Sequence, residues 1–144
     1  MSKTDRAPLG YELRVDGQGA TIIVRGRATA GLFKAIIDEL TLHPDFHLEL
    51  PSVWDMRESE GFGQMTRAEL SQLVMISRRA RQGSKGYRVA MAAGGTLDYG
   101  VGRVLGGTVE RAEIMEVGIF YDVDQAKRWA FGEGSAPASG ATPA

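Results

Sequence analysis

The stretch "SVWDMRESEGFGQMTRAEL", Ser52–Leu70, passes from one kind of secondary structure to another. Its first residues predict a strand, and a loop with glycines follows. The sequence "TRAE" at Thr66–Glu69 is a capping box: the Thr hydroxyl accepts a hydrogen bond from the backbone N–H three residues on, and the Glu carboxylate reaches back. The stretch therefore predicts a strand, a loop and the start of a helix, in the order from which α/β sheets are built.

The same kinds of pattern precede this stretch. The strands "YELRV" and "TIIVRGRA" are separated by "DGQGA", whose Asp-Gly pair predicts a hairpin and hence antiparallel neighbours. A helix follows in "AGLFKAIIDELTLHP", where Pro44 ends it at or before His43. The strand region "HLELPSVWDMR", His47–Arg57, comes next, and Pro51 restricts its first half to an edge, a bend or the approach to a strand. One face of that first helix carries the apolar residues Leu32, Phe33, Ile36, Ile37 and Leu40.

Strands and helices also alternate towards the C-terminus. The helix that begins at Thr66 is predicted to run to about Gln82, with Gly83 as its stop. It is followed by the strand "YRVAMAAG", the weak helix "TLDYGVGRVLGGTVER", the strand "EVGIFYDV" and the helix "DQAKRWAF", capped by Asp122 or Asp124.

This order, β-β-α-β-α-β-α-β-α, predicts an α/β fold with a single mixed, mostly parallel five-stranded sheet. The first strand is expected to be antiparallel to its neighbour. If the strands lie in sequence order, the first three helices share one face.

Length and composition predict one domain. The chain has 144 residues, and its apolar patterning spans residues 9–131. Residues 1–8 and the tail 132–144, "GEGSAPASGATPA", contain too little apolar surface to offset the entropy of ordering them, so we expect both to be flexible.

Charge and cysteine content exclude several classes of function. A net charge of −1 argues against a nucleic-acid partner. The sequence lacks cysteine, which removes disulfides, thiolate zinc sites and cysteine nucleophiles and is consistent with a cytoplasmic location. The start is not typical of a signal peptide, and no apolar run approaches the roughly 20 residues of a membrane helix, so we expect no integral membrane association.

The order of elements resembles that of the SpoIIAA-like, or STAS, domains. Three stretches carry the resemblance: "TIIVRGRATAGLFKAIIDEL", "VWDMR" and "VGIFYDVDQAKRWAF". It implies the fold shared with the Sec14-like lipid carriers, and a small non-catalytic module that binds a ligand or a protein. Partner-switching members carry a phosphorylatable Ser in an Asp-Ser-Ser-Gly-like motif. The corresponding stretch here, "ESEGFGQMT", has Ser59 and Thr66 instead and lacks that motif.

Asp55 and Arg57 are two residues apart on a strand and therefore face the same way. One interpretation is a charged pair that grips a polar ligand at the carboxyl edge of the sheet. The other is an ion pair that fixes the loop after the strand, and this structural interpretation takes precedence.

We expect a ligand site at the edge formed by residues 55–66 and 94–99, with the second and third helices as a mobile cover. The glycines around Gly95 and Gly100 do not match a P-loop, since Val101 stands where Lys is required. The candidate ligand-binding residues are Asp55, Arg57, Met65, Thr66, Met75, Gly94, Gly95 and Tyr99.

The helices around this edge leave two questions open. Gly100, Gly102, Gly106 and Gly107 weaken the third helix, which is explained either by close packing or by a lid that moves. On the second helix, Met75 and Ile76 lie outside the apolar stripe of Leu70, Leu73, Val74 and Ser77, and indicate either a second contact or a wide buried face. The basic residues Arg78, Arg79, Arg81, Lys85 and Arg88 are expected to form a solvated face, or else to attract an acidic partner.

The sequence indicates binding rather than catalysis. His43 and His47 lack the spacing of a metal pair, and no nucleophile motif is present, so we expect no enzyme activity, no metal and no cofactor. The leading hypothesis is a domain that binds a small apolar or amphipathic ligand. The alternative is a regulatory module that docks a protein partner, and a homodimer fits either.

Overall fold

A computed structural model describes residues 10–96, 99–103 and 115–132 of the chain. Five strands and three α-helices have defined bounds in these residues, and residues 99–103 are also helical. A single 3₁₀ turn, Phe62–Gln64, precedes the second helix. The elements are β1 (Tyr11–Val15), β2 (Ala20–Val24), α1 (Ala30–Thr41), β3 (Ser52–Asp55), α2 (Arg67–Ala80), β4 (Tyr87–Ala92), β5 (Met115–Phe120) and α3 (Val123–Ala130).

The strands form one sheet in the order β1-β2-β3-β4-β5. β1 is antiparallel to β2, and the pairs β2–β3, β3–β4 and β4–β5 are parallel. The predicted α/β class and mixed, mostly parallel sheet are confirmed. Of the predicted flexible ends, residues 1–8 and 132–144, all but Gly132 lie outside the described residues, as do Gly106 and Gly107.

The local signals in the sequence act at the places where they were expected. In the hairpin, the Asp16 carboxylate accepts hydrogen bonds from the N–H groups of Gln18 and Gly19, at 2.8 and 3.2 Å. The capping box at Thr66 has both of its hydrogen bonds. Asp122, rather than Asp124, caps α3.

Two predicted boundaries need correction. The strand region His47–Arg57 is much shorter in the structure, because residues 48–49 form a turn and only Ser52–Asp55 pair with neighbouring strands. Pro51 is the last residue before β3, and its carbonyl accepts a hydrogen bond from the Ala20 N–H at 2.9 Å. α2 ends at Ala80 instead of about Gln82, and Gly83 follows with a positive φ of 93°.

The sheet has an apolar core on each face. The larger core includes Phe33 and Ile36 of α1, Leu73 of α2 and Trp54 of β3, together with Tyr99. α1, α2 and residues 99–103 therefore share this face, as the strand order required. The smaller core joins Val53 and Phe120 of the sheet to α3, chiefly through Trp129.

Gly118 tests the packing of the smaller core, because a Cβ there would lie 2.8 Å from Phe120 Cε1 and 2.9 Å from Trp129 Cζ3. We expect Gly118→Ala to lower the free energy of unfolding by about 1–3 kcal/mol, the usual effect of overpacking. Urea unfolding followed by tryptophan fluorescence measures this change. Gly17→Ala is the control, since a Cβ there meets nothing within 4 Å. An equal effect of the two substitutions would contradict the described packing of α3.

Candidate functional site: an apolar cavity beneath two helices

A cavity of about 70 Å³ lies between α1, α2 and the larger-core face of β3, β4 and β5. Its walls are mainly aliphatic and aromatic. The lining residues are Phe33, Ile37, Leu40 and Thr41 of α1, Ser52 and Trp54 of β3, Leu73, Ser77, Ala80 and Arg81 of and just after α2, Tyr87, Val89 and Met91 of β4, and Met115 and Val117 of β5.

The periodicity of each element explains why these residues meet. Phe33, Ile37 and Leu40 recur at helical spacing on α1, and Leu73, Ser77 and Ala80 recur at the same spacing on α2. Each strand contributes alternate residues, such as Ser52 and Trp54 on β3. The cavity is thus the space left where two amphipathic helices and three strands present their apolar sides to one another.

Within the described residues the cavity has few polar lining groups. The Ser52 hydroxyl accepts a hydrogen bond from Trp54 Nε1 at 3.1 Å, and both side chains are buried. Thr41 and Ser77 contribute further hydroxyls. Arg81 supplies the charge, so the site combines an apolar volume with one cation.

Arg81 follows the last residue of α2, and only 5% of it is exposed. Its Nη1 donates to the carbonyls of His47 and Leu48, at 3.3 and 2.8 Å. Its guanidinium carbon lies 4.9 Å from the centre of the Phe46 ring and 4.1 Å from that of Tyr87. Cation–π contacts and carbonyl groups therefore hold this charge against the cavity.

Burial shifts the pKa values of both Arg81 and Tyr87, the two residues in the shorter cation–π contact. It lowers the pKa of Arg81 to about 10, although the charge of Glu49 and the neighbouring Tyr87 act in the opposite direction. Burial raises the pKa of Tyr87 to about 12, against the influence of the Arg81 charge. At neutral pH the cavity wall therefore carries a cationic arginine and a neutral tyrosine.

Asp55 and Arg57 form the ion pair expected from their spacing. Arg57 Nε and Nη2 each donate to a carboxylate oxygen of Asp55 at 2.9 Å, and the Arg57 backbone N–H donates to the same carboxylate at 3.1 Å. Asp55 is buried, whereas about half of the Arg57 side chain is exposed. The pair therefore fixes the chain where it leaves β3.

Burial alone would raise the pKa of the Asp55 carboxyl. The hydrogen bonds from the Arg57 side chain and backbone, together with the Arg57 charge, outweigh burial and hold the pKa below its ordinary value of 3.8. Asp55 is consequently ionised at neutral pH.

The other residues predicted to bind a ligand are scattered. Met65 is buried in the larger core, Thr66 caps α2, and Met75 is 54% exposed on α2. Gly94 and Gly95 follow β4, and the Tyr99 ring stacks on Tyr121 with centroids 4.6 Å apart. None of the eight predicted residues is among the described residues that line the cavity.

The structure answers the open question about Met75 and Ile76 and corrects the prediction for the basic residues. Ile76 is partly buried and packs against the larger core, because it lies three residues after Leu73 on the same side of α2. Of the two residues, only Met75 is largely exposed. The predicted basic face is also divided, since Arg81 is buried and Arg88 packs over the Trp129 ring at 4.9 Å while pairing with Glu116.

Gly102 packs closely against Ile119 of β5. Close packing was one of the two explanations for the glycines of this helix. A Cβ at Gly102 would lie 3.1 Å from Ile119 Cδ1, whereas one at Gly100 would meet nothing within 4 Å. The helix therefore approaches β5 at Gly102.

Sequence reasoning did not identify the cavity or Arg81 as part of a site. The available signal was weak: Arg81 follows Ser77 by four residues and so continues the inner stripe of α2 as a polar member. No group of three potential metal ligands occurs in residues 10–96, 99–103 and 115–132. The same residues contain no helix long and apolar enough to cross a bilayer.

Comparison with known proteins supports the fold. No family model and no curated protein matches the sequence. The chain is similar in structure to an uncharacterised protein of the DUF3478 family from Shewanella loihica PV-4, which has a SpoIIAA-like fold, with a TM-score of 0.58 and 16% sequence identity. The match covers 84% of this chain and 94% of the other. The chain therefore has the SpoIIAA-like fold expected from its sequence.

The Asp55–Arg57 pair predicts a pH-dependent stability difference. We expect Arg57→Gln to lower the free energy of unfolding by about 1 kcal/mol near neutral pH, since the buried carboxylate loses its charged partner. Because the pKa of Asp55 is lower in the folded protein than in the unfolded chain, the difference is largest above the ordinary carboxyl pKa. It shrinks as the pH falls through the folded pKa.

Urea unfolding of the wild type and the variant, at about pH 7 and at steps towards about pH 3, measures this difference. Lys34→Gln is the control, because Lys34 forms an exposed pair with Asp38 and its loss should cost less than about 0.5 kcal/mol. A difference for Arg57→Gln that stays constant over this range would show that the Asp55 charge is not responsible.

Proposed function

We propose that the protein is a non-enzymatic module that binds a small apolar or amphipathic molecule in the cavity beneath α1 and α2. The observation that carries the proposal is the apolar cavity itself, which is lined by residues of two helices and three strands. Concave, mostly apolar volumes with a few polar groups are the usual sites for small molecules. A cytoplasmic location is part of the proposal and is supported by the absence of cysteine.

The size of the cavity limits the ligand. A volume of about 70 Å³ is roughly half that of an engineered protein cavity that takes up benzene, about 150 Å³. A shorter hydrocarbon chain fits this volume, whereas a chain of six carbons, as in hexan-1-ol, extends beyond it or requires α1 and α2 to separate. The helices are the parts of the wall that such a movement would involve, since the strands are fixed by the sheet.

Burial of a hydrocarbon chain supplies the affinity in this proposal. Each methylene group removed from water contributes about 0.8 kcal/mol, which corresponds to about fourfold in affinity. Affinity should therefore rise along a series of linear alcohols and stop rising when the cavity is full.

A matched pair of substitutions on α2 tests the site. Ser77→Leu places a larger side chain into the cavity wall, and we expect it to weaken the binding of hexan-1-ol at least about tenfold, measured by calorimetry. Ser71→Leu is the same change at an exposed position of the same helix that does not line the cavity, and it should leave the affinity unchanged.

Two outcomes would contradict the proposal. One is wild-type protein that binds none of the linear alcohols and yields no small molecule to mass spectrometry after purification and denaturation. The other is an equal effect of Ser77→Leu and Ser71→Leu, which would place any binding elsewhere.

The exposed Met75 favours a second candidate, a module that docks a protein partner through the outer surface of α2. A methionine side chain that is 54% exposed suits an adaptable contact. The partner in this candidate is either a different protein or a second copy of the chain.

Substitution of Met75 separates the two candidates. If α2 docks a protein, Met75→Asp should abolish recovery of the partner in affinity capture, or self-association in sedimentation, with little change in stability. Ser77→Leu should leave both intact, since the cavity is not used. Gln72→Asp, at another exposed position of α2, controls for added charge. Retained association in Met75→Asp would remove this candidate.

A further inference from the structure

A buried cation that has no anionic partner among the described residues lines the cavity. Only 5% of Arg81 is exposed. No carboxylate within the described parts of the chain lies within 4 Å of its guanidinium nitrogens. Arginines at this depth are rarely unpaired. The carboxylate whose charge acts on it, Glu49, lies beyond ion-pair distance and accepts a hydrogen bond from the Lys85 N–H at 2.9 Å.

One edge of the Arg81 guanidinium has no hydrogen-bond acceptor among the described residues. Nη1 is engaged by the carbonyls of His47 and Leu48, while Nε and Nη2 donate to no other described residue. These two nitrogens form an edge with parallel N–H groups, the geometry that binds both oxygens of a carboxylate. The rings of Phe46 and Tyr87 and the two carbonyls hold the group in place without neutralising it.

We propose that Arg81 binds the carboxylate of a small linear monocarboxylic acid whose hydrocarbon chain occupies the cavity. The inference rests on the proposed function and names its ligand class. The lining residues Phe33, Ile37 and Leu73 match the chain, and Arg81, the one cation among the described lining residues, matches one negative charge. A dianion such as a phosphate monoester would leave one charge uncompensated among apolar side chains.

Part of the desolvation free energy of this ion pair is already included in the folded protein. Removing two charges from water often cancels their attraction, but most of the Arg81 side chain is already withdrawn from water in the folded protein before any ligand binds. An entering carboxylate therefore adds mainly its own desolvation, and it gains two charge-assisted hydrogen bonds.

A comparison of two ligands of equal chain length tests the inference on the wild-type protein. We expect hexanoate to bind about tenfold or more tightly than hexan-1-ol in calorimetry at neutral pH, the range for hydrogen bonds to charged groups. Equal or weaker binding of hexanoate overturns the role of Arg81 and leaves the cavity proposal standing. Absence of binding by both ligands overturns the proposed function as well.

Variants of Arg81 then locate the effect. We expect Arg81→Met to abolish the preference for hexanoate over hexan-1-ol, because the cation that distinguishes the two ligands is removed. Arg79→Met removes the same charge from the exposed surface nearby and should retain the preference. A preference for hexanoate that survives in Arg81→Met overturns the inference.

Arg81→Met loses the hydrogen bonds to the carbonyls of His47 and Leu48, and this loss destabilises the folded protein. Arg81→Lys is therefore a second variant for the same test. Lysine keeps the charge but lacks the two parallel donors, so we expect the preference for hexanoate to fall several-fold. An unchanged preference in a folded Arg81→Lys protein overturns the two-point contact. If neither variant folds, the comparison of hexanoate with hexan-1-ol on the wild type decides.

Discussion

Parallel strands that follow one another in chain order require crossovers of the same hand, and this constraint places α1, α2 and residues 99–103 on one face of the sheet. α1 and α2 lie side by side and pack against each other as well as against the strands beneath. Two rounded helices on a twisted sheet do not fill the space below their contact completely. The cavity occupies that space, so its position follows from the topology and its lining from helical and strand periodicity.

The opposite face is covered in a different way. α3 has eight residues and packs against β3, β4 and β5 through Ala126, Ala130 and Trp129. The two alanines and Gly118 allow the helix to approach the sheet, and the Trp129 ring fills the remaining volume against Phe120, with ring centroids 5.8 Å apart. The described residues thus combine a densely packed face with a face that retains internal space.

The sequence predicted the features that depend on neighbours along the chain. Asp16 in the hairpin, the capping box at Thr66 and the pair Asp55–Arg57 each act over two or three residues, so spacing alone identifies them. The fold class followed because the order of such elements leaves few topologies.

Features that depend on distant residues were not predicted. The burial of Arg81 requires carbonyls 33 and 34 residues away and the ring of Phe46, and no local pattern specifies those contacts. The environment of Ile76 stayed open between a second contact and a wide buried face, because the width of the buried side of α2 depends on what packs there. A cavity is the gap between several elements, and it appears only when their packing is known.

The strand order has a consequence for folding during synthesis. Each strand of the sheet pairs with the one made immediately before it, so most of the sheet is able to assemble as the chain grows. α3 comes last of the described elements, and its side chains cover Val53 and Ala90, which belong to strands made much earlier. Until Trp129 leaves the ribosome, that apolar face is open to water and to other nascent chains, and the final turns of α3 determine when the exposure ends.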